Sequence, residues 1–187
     1  IVTNMPDTKD VQSEYLGEEP LGLILPRALL GSDLATSDNA KSADVGLQKA
    51  DDDLQKADGS IKNVVTTLGL INHPDAMHYV QRYFNDCGEA DLASINPNQL
   101  HHTGYINQLS QILLPVSEGL GFTVLPTSTL NFVSFAEKLA VYQAKNDVTE
   151  PLYSVQTPHS TLPARYEIVK KKISQVLGSD SAPTIRN

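Results

Sequence analysis

The segment from Tyr105 to Pro126, YINQLSQILLPVSEGLGFTVLP, constrains the fold more than any other part of the chain. It reads as an apolar helix, a Gly-x-Gly break at Gly119-Leu120-Gly121, and a short buried strand from Phe122 to Leu125 stopped by Pro126. A glycine just past a helix lets the backbone turn through a left-handed residue, and a short apolar run closed by proline is strand-sized. Together they make one α-to-β unit of an open α/β sheet.

The rest of the chain supplies elements for the same sheet. Ile1 to Thr3 reads as the end of a strand, Leu21 to Leu25 as a strand ended by Pro26, and Leu16-Gly17-Glu18-Glu19 as an exposed turn between them. From Gly31 to Ser60 the composition shifts to Asp, Ser, Ala and Lys. Within that stretch Leu47-Gln48-Lys49-Ala50-Asp51 recurs one heptad later as Leu54-Gln55-Lys56-Ala57-Asp58. Leu47, Leu54 and Ile61, with Ala50, Ala57 and Val64, form a narrow apolar stripe, which predicts a mostly exposed helix over 47–57 rather than a coiled coil. Leu68 to Ile71 reads as the next strand, running through Asn72-His73-Pro74-Asp75 into a helix that ends at Phe84. Pro74 suits a first helical position, Asn72 or His73 the cap, and Tyr79, Val80, Tyr83 and Phe84 the buried face. Asn85 to Asn98 reads as loop, Leu152 to Val155 as a final strand, and Pro163 to Leu177 as a helix closed by Gly178 with a frayed tail after it.

Composition narrows the class. A chain of 187 residues with 40% apolar residues can bury one real core, as a single domain or two small lobes. The apolar runs are strand-sized, so no membrane-spanning helix is expected. No secretory signal opens the chain and Cys87 stands alone, which together fit a reducing cytoplasm. The net charge of −8 leaves no basic face for DNA phosphates beyond Lys170-Lys171-Lys172 on the last helix, which reads as a solvated helix face.

Several side chains invite a chemical reading. His73, Asp75 and His78 suggest a metal site, but the two histidines fall on different faces of a helix and no further ligand follows at a recognised spacing. No metal is expected. The backbone N–H groups of Asp75, Ala76 and Met77 at a helix start instead suit an anion or polar ligand, with an ordinary cap as the plain alternative. Cys87 with His101 or His102 lacks a nucleophile turn, Ser117 and Ser128 lack a G-x-S-x-G elbow, and no glycine-rich phosphate loop occurs. Catalysis is not visible in the sequence, and neither is a cofactor site.

Four segments in order carry a resemblance: YLGEEPLGLILP from Tyr15, LGLINHPDAMHYVQRYF from Leu68, the Tyr105 to Pro126 unit, and PLYSVQTPHSTLPARYEIVKKKISQVL from Pro151. In that order they resemble the effector-binding domain of LysR-type transcriptional regulators. The resemblance implies a type-II periplasmic-binding-protein-like α/β fold of two lobes, with Leu68 to about Ser160 as one lobe. Ile1 to Thr67 with Thr161 to Asn187 would be the other, incomplete at its N-terminus. It implies a cytoplasmic, non-enzymatic sensor that forms a homo-dimer or tetramer and holds a small polar or anionic effector between the lobes. DNA would be reached through a winged helix-turn-helix that this sequence does not contain. In the family the loop matching His101 to Gly104 faces the cleft opposite the helix that starts here at Pro74. Asn72, His73, Asp75, Ala76, His102, Thr103, Thr127 and Thr129, with Ser128, are therefore expected around one concavity, at the carboxyl ends of parallel strands. A solute-binding protein of the same fold and an α/β enzyme with an unrecognised site are the alternatives.

Overall fold

A computed structural model describes residues 2–3, 11–29, 60–158 and 163–177. The helix expected over 47–57, Gly178 and the tail lie outside the described residues. The chain forms strand β1 (Gln12–Pro26), helix α1 (Ile61–Leu68), β2 (Leu70–Asn72), α2 (Ala76–Asp86), α3 (Ala90–Ala93) and β3 (His102–Tyr105). After these come α4 (Leu109–Ser117), β4 (Thr123–Pro126), β5 (Leu139–Val141), β6 (Val148–Gln156) and α5 (Ala164–Val176).

The burial of β1 changes along its length. Exposed and half-buried residues alternate near its start, whereas every residue from 21 to 26 is buried. Continuous burial marks a strand covered on both faces. Residues 16–19, expected as a turn, belong to this strand: β6 pairs with it, and the Thr149 hydroxyl donates to the Glu18 carboxylate. Pairing keeps the acidic stretch extended while its carboxylates still reach water. Val2 pairs with Tyr153, in keeping with the strand end read at the start of the chain.

β1 also pairs antiparallel with β4 (Leu21 opposite Pro126, Ile24 opposite Thr123) and with β5 (Ile24 opposite Val141). β5 has no counterpart in the sequence reading, because three residues are too few to show a period. A second sheet joins β2 and β3 in parallel, and Leu70 forms a parallel bridge to Phe122.

The chain divides into two compact units, Ile1–Pro20 with Thr149–Asn187, and Leu21–Val148. The lobe boundaries expected at Leu68 and near Ser160 do not coincide with this division, because residues 21–26 are hydrogen-bonded to β4 and β5. Among the described residues every buried apolar side chain except Leu16 lies in Leu21–Val148. Phe84 and Phe122, their rings stacked at 6.5 Å, are the bulkiest fully buried side chains among the described residues. The expected buried face of α2 is present, with Tyr79, Val80, Tyr83 and Phe84 all at 9% exposure or less, and Ala76 joins it.

Two further segments differ from expectation. Leu68 is the last residue of α1 and not the first of a strand, since Ile61, Val64, Val65 and Leu68 recur at helical spacing behind the Ser60 cap. The stretch 85–98, read as loop, contains α3, which carries the buried Leu92, and the start of a 3-10 turn at Pro97–Gln99. The last helix, α5, runs within the expected bounds but buries no residue.

Candidate functional site

The site is built by β2. Its amides bond to both sides: Leu70 N–H donates to His101 O at 2.7 Å, and Ile71 N–H to Phe122 O at 2.8 Å. In return Phe122 N–H donates to Gly69 O at 2.9 Å and Ile106 N–H to Asn72 O at 2.9 Å. β2 therefore lies between β3 and the start of β4, all running the same way, and their carboxyl ends emerge on one side at Asn72, Tyr105 and Pro126. Open α/β sheets bind ligands at such an edge.

The glycine break sets how closely these strands meet. Gly119 has φ 80°, and its N–H donates to Val116 O while that of Leu120 donates to Pro115 O, the paired bonds that close a helix through a left-handed residue. Gly121 is glycine for space: a Cβ there would stand 2.7 Å from Thr103 Oγ1 and 2.9 Å from Gly69 O.

At the end of β2 the Asn72 side-chain carbonyl accepts from His73 N–H at 2.9 Å. His73 is 3% exposed, and its Nε2 lies 3.3 Å from Val124 O. A neutral ring carrying its proton on Nε2 donates that bond and ties the exit of β2 to β4. Burial pushes the His73 pKa down, more than the Val124 carbonyl and Asp75 raise it. Pro74 and Asp75 form a turn, and Asp75 is the N-cap of α2, a position expected for Asn72 or His73. The Ala76 N–H, expected to be free for a ligand, donates to His73 O at 3.0 Å. The shift has a plain cause: His73 is held in the core by its ring, so the helix begins only after the turn that follows it.

His102 and Thr103 do not sit in a loop. They open β3, where the Thr103 hydroxyl lies 3.5 Å from Leu70 O and its methyl faces Gly69. This is the amino end of the parallel strands, so the residues of β3 at the carboxyl edge are Tyr105 and those after it. β3 has no apolar alternation in its sequence, and the parallel register with β2 is what reveals Tyr105. Thr127, Ser128 and Thr129 do follow β4 at its carboxyl end, in a 3-10 turn from Thr127 to Phe132. Thr129 donates to Pro126 O at 2.6 Å, and the Thr127 methyl packs where a Cβ on Gly22 would stand. The structure thus brings Asn72, His73, Asp75 and Ala76 to the same sheet edge as Thr127 and Thr129, and leaves His102 and Thr103 at the other end of their strand.

Among the described residues no group of three or more His, Cys, Asp or Glu is placed to hold a metal ion. Cys87 is fully buried, and burial pushes its thiol pKa up, the opposite of an activated nucleophile. Among the described residues no helix is long and apolar enough to cross a membrane.

No family model matches the sequence. No curated protein matches it either. Solved structures do. The reduced regulatory domain of OxyR2 from Vibrio vulnificus superposes with a TM-score of 0.57 at 13% identity, over 93% of this chain and 69% of that one. The regulatory domain of CcmR from Synechocystis, solved in complex with 2-PG, gives 0.57 at 15% identity over 97% and 74%. That of CrgA from Neisseria meningitidis, a LysR-type transcriptional regulator, gives 0.56 at 14% identity over 94% and 73%. The chain has the α/β, type-II periplasmic-binding-protein-like fold of LysR-type regulatory domains.

Proposed function

We propose that this chain is the effector-sensing and oligomerising region of a LysR-type transcription regulator. The observation that carries the reading is the fold, together with a polar sheet edge where Asn72–His73–Pro74–Asp75 and Thr127–Ser128–Thr129 emerge side by side. Such an edge suits a small polar molecule, held by backbone amides and short hydroxyl and amide side chains. A regulatory domain of this fold has been solved with the small molecule 2-PG bound, which supports a sensing role here. On this reading the two units are the lobes of a cytoplasmic protein, homo-dimeric or tetrameric, without turnover chemistry. DNA is bound through a helix-turn-helix domain of the full-length protein and not through this acidic chain.

A gel shift tests the reading. The full-length gene product is expected to retard the DNA upstream of its own gene in a sequence-dependent way, and this chain alone is expected to retard none at physiological salt, given its charge of −8. Specific retardation by the chain alone, or none by the full-length product, overturns it.

A further inference from the structure

Helix α5 turns a row of apolar side chains toward solvent. Tyr166, Val169, Ile173 and Val176 recur at the three-four spacing of one helix stripe. Ile173 is half-buried, and the other three are 44%, 51% and 86% exposed. Arg165 and Lys172, both exposed, border the stripe along one side, and the Arg165 guanidinium lies 5.5 Å from the centre of the Tyr166 ring. Lys170, on the other border, is held by Glu14 and Glu167. Ile168 is exposed too, but it lies off the stripe.

The sequence holds a segment with the same spacing and the opposite charge. Leu47, Ala50, Leu54 and Ala57 repeat the intervals of the α5 stripe, and the positions bordering them include Asp51, Asp53 and Asp58. In a paired-helix seam the residues that border the apolar row decide which rows can meet. Two α5 rows would bring Arg165 and Lys172 against one another, and two 47–58 rows would bring aspartate against aspartate. Each row rejects its own kind and accepts the other.

Resting on the oligomerising reading above, we propose that α5 is the docking face for segment 47–58 of a second copy of this chain, apolar row on apolar row, with the aspartates against Arg165 and Lys172. Two heptads are too short to hold two free helices together, but α5 is already folded, so only the incoming segment loses freedom. In a two-fold pair each copy gives its segment to the other, so the contact is made twice and the assembly closes as a dimer. The second contact forms within the complex, at the raised effective concentration of tethered sites.

Sedimentation velocity of the whole chain over a range of concentrations tests this. The wild type is expected to show a monomer–dimer equilibrium that weakens as salt rises, because the bordering charges are exposed. Arg165→Glu combined with Lys172→Glu should weaken the dimer about tenfold or more, and so should Val169→Ser, whereas Ile168→Ser should leave it unchanged; all four positions are exposed, where substitution leaves folding undisturbed. Asp51→Lys, Asp53→Lys and Asp58→Lys together should weaken it as well, and both sets of reversals in one chain should restore it. A dimer indifferent to the α5 substitutions overturns this face and leaves the oligomerising reading standing. Weakening that the combined reversals do not restore overturns segment 47–58 as the occupant. A chain that stays monomeric throughout overturns the second copy, and the oligomerising reading of this chain with it, while the gel shift of the full-length product still decides the regulator reading.

Discussion

At the scale of single residues, Gly119 and Gly121 look alike in the sequence and do different work. Gly119 needs its left-handed backbone and has open space around it, whereas Gly121 needs the absence of a side chain against the Gly69 carbonyl. Gly119→Ala should therefore cost about 1–2 kcal/mol, the penalty of a left-handed L-residue, and Gly119→Asn less. Gly121→Ala should cost about 3 kcal/mol, toward the upper end for overpacking, because backbone cannot move aside as a side-chain tip can. Urea unfolding of the three variants checks the order, and equal midpoints for the two alanine variants would contradict it. His73 adds a pH dependence. Its folded pKa lies below the unfolded value, so its contribution is intact above about 6.5 and is lost as pH falls below that, where only the unfolded chain gains the proton. The urea midpoint should drop between pH 7.5 and 5.5 more steeply for the wild type than for His73→Gln. The glycine break and the buried face of α2 were legible in the sequence because they follow local backbone rules. That His73 is a core residue and that Thr103 is used inside the sheet were not, since both depend on partners fifty or thirty positions away in the chain.

At the scale of elements, α1 and β3 show where reading by pattern stops. Leu68, Leu70 and Ile71 make one apolar run, and only the spacing Ile61, Val64, Val65, Leu68 and the break at Gly69 assign Leu68 to a helix. β3 is four residues with no buried member, and it is a strand because β2 offers it a parallel edge. Sheet partners decide such short segments, and propensity does not. The start of α1 rests on a small network: Ser60 Oγ accepts from Lys62 N–H at 3.3 Å and donates to Asp91 at 2.7 Å, while Lys62 Nζ donates to Ser94 at 2.7 Å. Ser60→Ala should lower stability by about 1 kcal/mol, the usual worth of a cap. Asp and Asn cap about equally well elsewhere, yet here Ser60→Asp should be worse than Ser60→Asn, because a second carboxylate would face Asp91. Thermal melts at low and high salt separate the two effects: the deficit of the Asp variant should shrink with salt, and that of the Ala variant should not.

At the scale of the whole molecule, the core is unevenly divided. Leu21–Val148 holds all the buried apolar side chains among the described residues but Leu16, including the stacked Phe84 and Phe122. In the unit made of Ile1–Pro20 and Thr149–Asn187, α5 buries nothing, and Tyr166, Ile168, Val169 and Val176 are 44–86% exposed. Among the described residues it carries the β1–β6 pairing, the Tyr15–Tyr153 ring contact at 5.8 Å, and ion pairs from Lys170 to Glu14 and Glu167 at 2.8 and 3.0 Å. Exposed ion pairs contribute little, and a unit whose described residues bury almost no apolar side chain opens at low free energy. Native-state hydrogen exchange should therefore be strongly graded. Amides of β2, the buried turns of α2 and the paired part of β4 are expected to exchange only through global unfolding, and those of α5 through local opening, faster by several orders of magnitude. High salt, which screens the Lys170 pairs, should speed exchange in α5 while leaving β2 unchanged. A fragment spanning Leu21–Val148 should then melt cooperatively by itself, because the burial that drives folding lies within it. Uniform protection across both units, or a fragment without a cooperative melt, would mean that α5 contributes to a shared core that the burial of its side chains does not reveal.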